Sequence, residues 1–174
     1  DIHSGTLENG SSQSAPLFAP RGQINLASVA SSGEILVGSL DQAPNIHHQS
    51  FSTLGAIQIL QQSIVEASGN AGGSVAIRSG QFVLNDSTIA ATTTGPGMGQ
   101  PPAESRGSIT VSASNVRLEN GATMRANADN GGNAGALTIR GIAGAGSAAE
   151  SVTVDNATLS TIHTGTHPAN TTTR

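Results

Sequence analysis

The chain has 174 residues, 36% of them hydrophobic, enough for one domain with a core of some kind. Three Phe and no Trp or Tyr leave little to stack bases or sugars on, and the absence of cysteine rules out disulfides and thiolate metal sites. The seven basic residues, all Arg, stand against eleven Asp plus Glu; a net charge of −4 gives no counterion-release drive toward a phosphate backbone, so nucleic acid is not an expected partner.

The opening residues Asp1-Ile2-His3-Ser4 have neither the basic nor the apolar region of a signal peptide. No apolar run approaches the roughly 18 residues that cross a bilayer, so no membrane span is expected. Residues 1–21 read as a partial N-terminal coil or loop, with one strand-like piece at Gly5-Thr6-Leu7-Glu8, a Ser-rich stretch, and the apolar Leu17-Phe18-Ala19. Pro20-Arg21-Gly22 then leads into a pattern that recurs: glycine, any residue, a large aliphatic, any residue, a second large aliphatic. Its copies are Gly22-Gln-Ile24-Asn-Leu26, Gly55-Ala-Ile57-Gln-Ile59, Gly73-Ser-Val75-Ala-Ile77, Gly107-Ser-Ile109-Thr-Val111 and Gly135-Ala-Leu137-Thr-Ile139. Aliphatics alternating with small or polar residues mark a strand with one buried face.

After this strand the later copies share a second, Phe82-Val83-Leu84, Val116-Arg117-Leu118 and Val152-Thr153-Val154, and a third, Ser87 to Ala90, Ala122 to Ala126 and Ala157 to Ser160. Polar turns separate the second from the third: Asn85-Asp86, Glu119-Asn120-Gly121 and Asp155-Asn156, residues that tolerate left-handed backbone. The five glycines stand at unequal spacings, with Gly55 to Gly72 the shortest unit and Thr92 to Arg106 a long excursion. A helical repeat would keep its length nearly constant; here a loop absorbs the difference.

The pattern predicts an all-β, right-handed parallel β-helix, a three-sided solenoid of about five coils over residues 22–165, starting near 22, 55, 73, 107 and 135, with 166–174 as a tail. Each strand would pair in parallel with its equivalent about 4.8 Å away. One inner column would run Ile24, Ile57, Val75, Ile109, Leu137, beside Leu26, Ile59, Ile77, Val111, Ile139. Open coil ends are unpaired edges, so the segment reads as a portion of a longer rod and end-to-end self-association is a candidate property.

The phrases Gly22-Gln-Ile-Asn-Leu-Ala-Ser-Val-Ala-Ser-Ser-Gly-Glu34, Gly69-Asn-Ala-Gly-Gly-Ser-Val-Ala-Ile77, Asn85-Asp-Ser-Thr-Ile-Ala-Ala-Thr-Thr-Thr94 and Gly131-Gly-Asn-Ala-Gly-Ala-Leu-Thr-Ile139 resemble the filamentous-haemagglutinin-like exoproteins of two-partner secretion systems. The resemblance covers about residues 20–165. It implies a secreted protein at the surface of a Gram-negative bacterium, exported through an outer-membrane two-partner secretion transporter by a domain not seen in this segment, and acting as an adhesin toward a host-surface receptor or glycan. It carries no catalytic residues onto this chain and implies no cofactor.

An enzymatic alternative rests on Asp86, Glu119 and Asp155, which fall at or beside equivalent turns, with Arg78 and Arg140 at the outer ends of first strands. Paired carboxylates one or two strands apart are the equipment of a polysaccharide lyase or glycosidase. The same residues serve equally as solubilising turn residues alternating with Asn85, Asn120 and Asn156, and that is the preferred reading. His163 and His167, four apart, and the adjacent His47-His48 lack the helical context of a zinc motif, given Gly165 and Pro168. Gly95-Pro-Gly-Met-Gly99 has no Lys and is no phosphate cradle. No metal site is expected, and any recognition belongs to the loops Leu40 to Gln49 and Thr92 to Arg106.

Overall fold

The computed structural model describes residues 2–3, 5–6, 12–13, 16–36, 45–46, 51–95, 106–129 and 132–164. Its strands, in chain order, are β1 (Ile2–His3), β2 (Gly5–Thr6), β3 (Ser12–Gln13), β4 (Pro16–Phe18), β5 (Gln23–Ala27), β6 (Ile35–Leu36), β7 (Asn45–Ile46), β8 (Ala56–Leu60) and β9 (Ile64–Glu66). They continue with β10 (Ser74–Asn85), β11 (Thr88–Ala90), β12 (Arg106–Glu119), β13 (Thr123–Arg125), β14 (Ala128–Asp129), β15 (Asn133–Arg140), β16 (Ser151–Asp155), β17 (Thr158–Ser160) and β18 (His163–Thr164). The described residues are all-β, without a helix.

Two parallel sheets carry the architecture. A seven-stranded sheet contains β1, β5, β8, β10, β12, β15 and β16, and a five-stranded sheet runs β17-β13-β11-β9-β4. The minor pairs β2–β3 and β6–β7 are antiparallel. Strands of the parallel ladders are separated in sequence by other elements, so each pairing closes a long excursion of the chain.

Strands β10 and β12 each hold two of the expected strands end to end. The first half of β10 pairs with β5 and with the first half of β12, while its second half pairs with β8 and with the second half of β12. The first and second halves of β12 pair onward with β15 and β16. β10 and β12 therefore run unbroken through Ser79-Gly80 and Ala113-Ser114, whereas residues 28–55 separate β5 from β8 and residues 141–150 separate β15 from β16. Buried positions shift phase at these junctions, from Val75, Ile77 and Ser79 to Phe82 and Leu84, and from Ile109, Val111 and Ala113 to Val116 and Leu118. Side chains two apart share a face, so a strand that feeds one core with odd and then even positions must bend between them.

The register corrects the expected columns. Val75 faces Ile24 and Ile109, and Ile109 faces Leu137, as anticipated; Ile77, Leu26, Val111 and Ile139 follow in the same way. Ile57 and Ile59, however, face Phe82 and Leu84. Gly55 thus opens a second strand, equivalent to Gly80, whose N–H donates to the Gly55 carbonyl at 2.7 Å. The pattern around Gly55 is matched by Gly80-Gln-Phe82-Val-Leu84 as well as it is by Gly73-Ser-Val75-Ala-Ile77, and alternation alone does not tell the two columns apart. First-strand members follow Gly22, Gly73, Gly107 and Gly135, so β5, β8 and β9 supply the first, second and third strands of one unit rather than two.

The two sheets share one hydrophobic cluster. Ile59, Ile77, Phe82, Leu84, Ile109, Val111, Val116 and Leu118 of the larger sheet meet Val65, Ile89 and Met124 of the smaller. Each fully buried aliphatic contributes roughly 1.5–3 kcal/mol, and none does so without the strands on either side.

The recurrent glycine has a steric cause. Gly73, Gly107 and Gly135 do not adopt positive φ. A Cβ on Gly107 would overlap the carbonyl oxygen of Ala91, and one on Gly73 that of Ala67. The chain entering each first strand passes against the end of the preceding third strand, and only glycine permits that approach.

Candidate functional site

The turn between the second and third strands is built from left-handed residues. Gln61, Gln62, Asp86, Asn120 and Asn156 have φ between 45° and 61°. For Asn and Asp this conformation is accessible because the short polar side chain satisfies nearby backbone. The turns are tied to one another along the ladder: Gln62 N–H donates to the Asp86 carbonyl, Asp86 N–H to the Glu119 carbonyl at 3.2 Å, and Gly121 N–H to the Asn156 carbonyl at 2.6 Å.

The three candidate acids come together at this corner but not in one row. Asn85, Glu119 and Asp155 occupy one register position on three neighbouring strands. Asp86 lies one residue further along, in the place held by Asn120 and Asn156 in the next turns. Both Glu119 carboxylate oxygens are engaged: Oε1 accepts from Asn85 Nδ2 at 3.0 Å and Oε2 from Arg117 Nη2 at 2.7 Å. Each oxygen of this carboxylate thus spends an acceptor site within the turn rather than toward a ligand. Asp86 and Asp155 are exposed.

The arginines form a more distinctive arrangement. Arg78, Ser112 and Arg140 occupy one register position on β10, β12 and β15. Arg140 Nε donates to Ser112 Oγ at 2.9 Å, and Arg78 Nη2 donates to the carbonyl of Ile142 at 2.5 Å. Burial, and then the Arg140 charge, hold Arg78 below its ordinary pKa. Sequence reasoning placed the two arginines on equivalent strands but did not single out Ser112, which stands five residues after Gly107 as the arginines do after Gly73 and Gly135, and it had no signal for the 141–150 loop folding back over Arg78.

His163 lies in β18, paired in parallel with β14. His47, His48 and His167, and most of the loops Leu40 to Gln49 and Thr92 to Arg106, fall outside the described residues. Among the described residues no group of three or more His, Cys, Asp or Glu is placed to hold a metal ion, and no helix is long and apolar enough to cross a membrane. No family model, curated protein or solved structure matches the chain.

Proposed function

We propose that the chain is a non-catalytic shaft segment, a right-handed three-sided parallel β-helix within a secreted, surface-exposed adhesin of the filamentous-haemagglutinin-like kind. The observation that carries the reading is the set of in-register parallel ladders, in which first, second and third strands each recur along the chain and feed one core. A unit of this kind cannot bury its own inner face, and stacking supplies the partner. The bends at Gly80 and Ser114 fit two sides of such a solenoid, and the turns at Asp86 and Asn120 lead to its third.

The phrases shared with two-partner secretion exoproteins favour export through an outer-membrane transporter and a place at the bacterial surface. In that setting the shaft extends and presents, and a host receptor or glycan would be met by the loops Leu40 to Gln49 and Thr92 to Arg106. The engaged state of Glu119 disfavours the alternative of a lyase or glycosidase, for which Glu119 and Asp155 would be the pair.

The experiment uses the purified chain. Small-angle scattering should give an elongated particle, and adhesion to host cells should fall when residues 40–49, or residues 96–105 within the second loop, are replaced by short Gly-Ser links while the ladders remain folded by circular dichroism. Cleavage of a polysaccharide that is abolished by Glu119→Gln with Asp155→Asn would overturn the reading in favour of the enzyme.

A further inference from the structure

Arg78 and Arg140 face outward from the first-strand ladder, two strand spacings apart, with Ser112 between them. Two spacings put their Cα atoms about 9.6 Å apart. The bond from Arg140 Nε to Ser112 Oγ leans one guanidinium toward the middle strand, and the bond from Arg78 Nη2 to the Ile142 carbonyl fixes the other beneath the 141–150 loop. Arg78 Nε is buried and has no hydrogen-bond partner.

Among the described residues neither arginine is ion-paired with a carboxylate. The ion pairs among the described residues join Arg117 to Glu119 and Arg125 to Glu66. Two cations held side by side at a partly buried corner repel each other, which is the second cause of the lowered pKa of Arg78. In a chain of net negative charge this repulsion is local and is not relieved by any described neighbour. An anion placed between them would relieve it.

We propose that Arg78, Ser112 and Arg140 form a binding site for one tetrahedral oxyanion, phosphate or sulfate, held between the two guanidinium groups. A guanidinium bonded to such an ion sits with its carbon about 4 Å from the central atom, since each N–H···O contact is near 2.8 Å. Two of them bracket the ion across a span of about 8 Å, which the ladder spacing provides once Arg140 leans inward. Ser112 Oγ accepts from Arg140 and keeps its own O–H to donate to the ion. The oxyanion is either free or carried as a monoester on a larger ligand.

Isothermal titration of the whole chain at constant ionic strength, with chloride as the background anion, tests the site. Inorganic phosphate and sulfate should bind saturably in the millimolar range or tighter. Arg140→Gln should weaken binding by about tenfold or more, as loss of charge-assisted hydrogen bonds requires, and Ser112→Ala should weaken it less. Arg125→Gln, in the other sheet, should leave it unchanged. These two site variants spare the Arg78 bond to Ile142, so folding is not at stake. Methyl phosphate and methyl sulfate separate the sources: binding of the esters as well as the ions supports an ester-borne ligand, and binding of the ions alone a free one. Absence of saturable binding, or an Arg140→Gln variant that binds as the natural chain does, overturns the site.

Discussion

The units built on β10 and β12 and the unit built on β15, β16 and β17 follow one sequence pattern and have opposite burial. Val116 and Leu118 are at most 1% exposed, whereas Val152 and Val154, their register partners on β16, are each 49% exposed. Met124 is fully buried and its partner Leu159 is 37% exposed. β12 has strands on both sides along its length, while among the described residues β16 pairs only with β12. Burial is thus a property of position in the ladder, and the same alternation stabilises or not according to its neighbours.

The largest effect expected on the buried side of this comparison is at Phe82, the bulkiest fully buried side chain. Phe82→Ala should cost about 3–5 kcal/mol, transfer and cavity terms together, read from the midpoint of urea unfolding. Gly107→Ala comes next, at about 3 kcal/mol, because the added Cβ meets backbone rather than a side chain that can rotate away. A sharper test uses one residue type in one column: Val116→Ala should cost about 2 kcal/mol and Val152→Ala less than about 1 kcal/mol. Equal losses at Val116 and Val152 would mean that the outer strand is covered in solution, and the position-dependence argued above would fail.

Much of this fold was legible in the sequence because a period of two survives in every unit. Leu137 and Ile139 continue the columns of Ile109 and Val111, and the second strands of the later units align as their patterns suggest. The assignment of Gly55 was not legible. A strand records which face is buried but not which ladder it joins, and in this unit residues 28–55 interrupt the continuity that links first to second strand in β10 and β12. The corner holding Asp86, Glu119 and Asp155 was foreseeable from its turn residues, but the one-residue offset of Asp86 was not, since it depends on where the left-handed residue falls. Nor could spacing reveal that Asn85 and Arg117 occupy the Glu119 carboxylate. The Arg78–Ser112–Arg140 row could be read from the repeat, each residue standing five after its glycine, but the contact of Ile142 with Arg78 could not, since it is made through a loop with no repeat of its own.

The smallest expected effect has the opposite sign and its own internal control. Ser79 is fully buried in β10 and its Oγ has no hydrogen-bond partner. The equivalent position in the next unit is Ala113, also fully buried, paired in register with Ser79 between strands of nearly the same pattern. A buried hydroxyl without a partner costs about 1–3 kcal/mol in desolvation, and the ladder already accepts a methyl group at this place. Ser79→Ala should therefore raise stability by about 1 kcal/mol, seen as a higher urea midpoint with an unchanged slope. The reciprocal change, Ala113→Ser, should lower stability by a similar amount, because it creates the same orphan one strand further along. A loss of stability in Ser79→Ala would show that the hydroxyl finds an acceptor in solution, and the two units would then differ in polarity at their bend as well as in sequence.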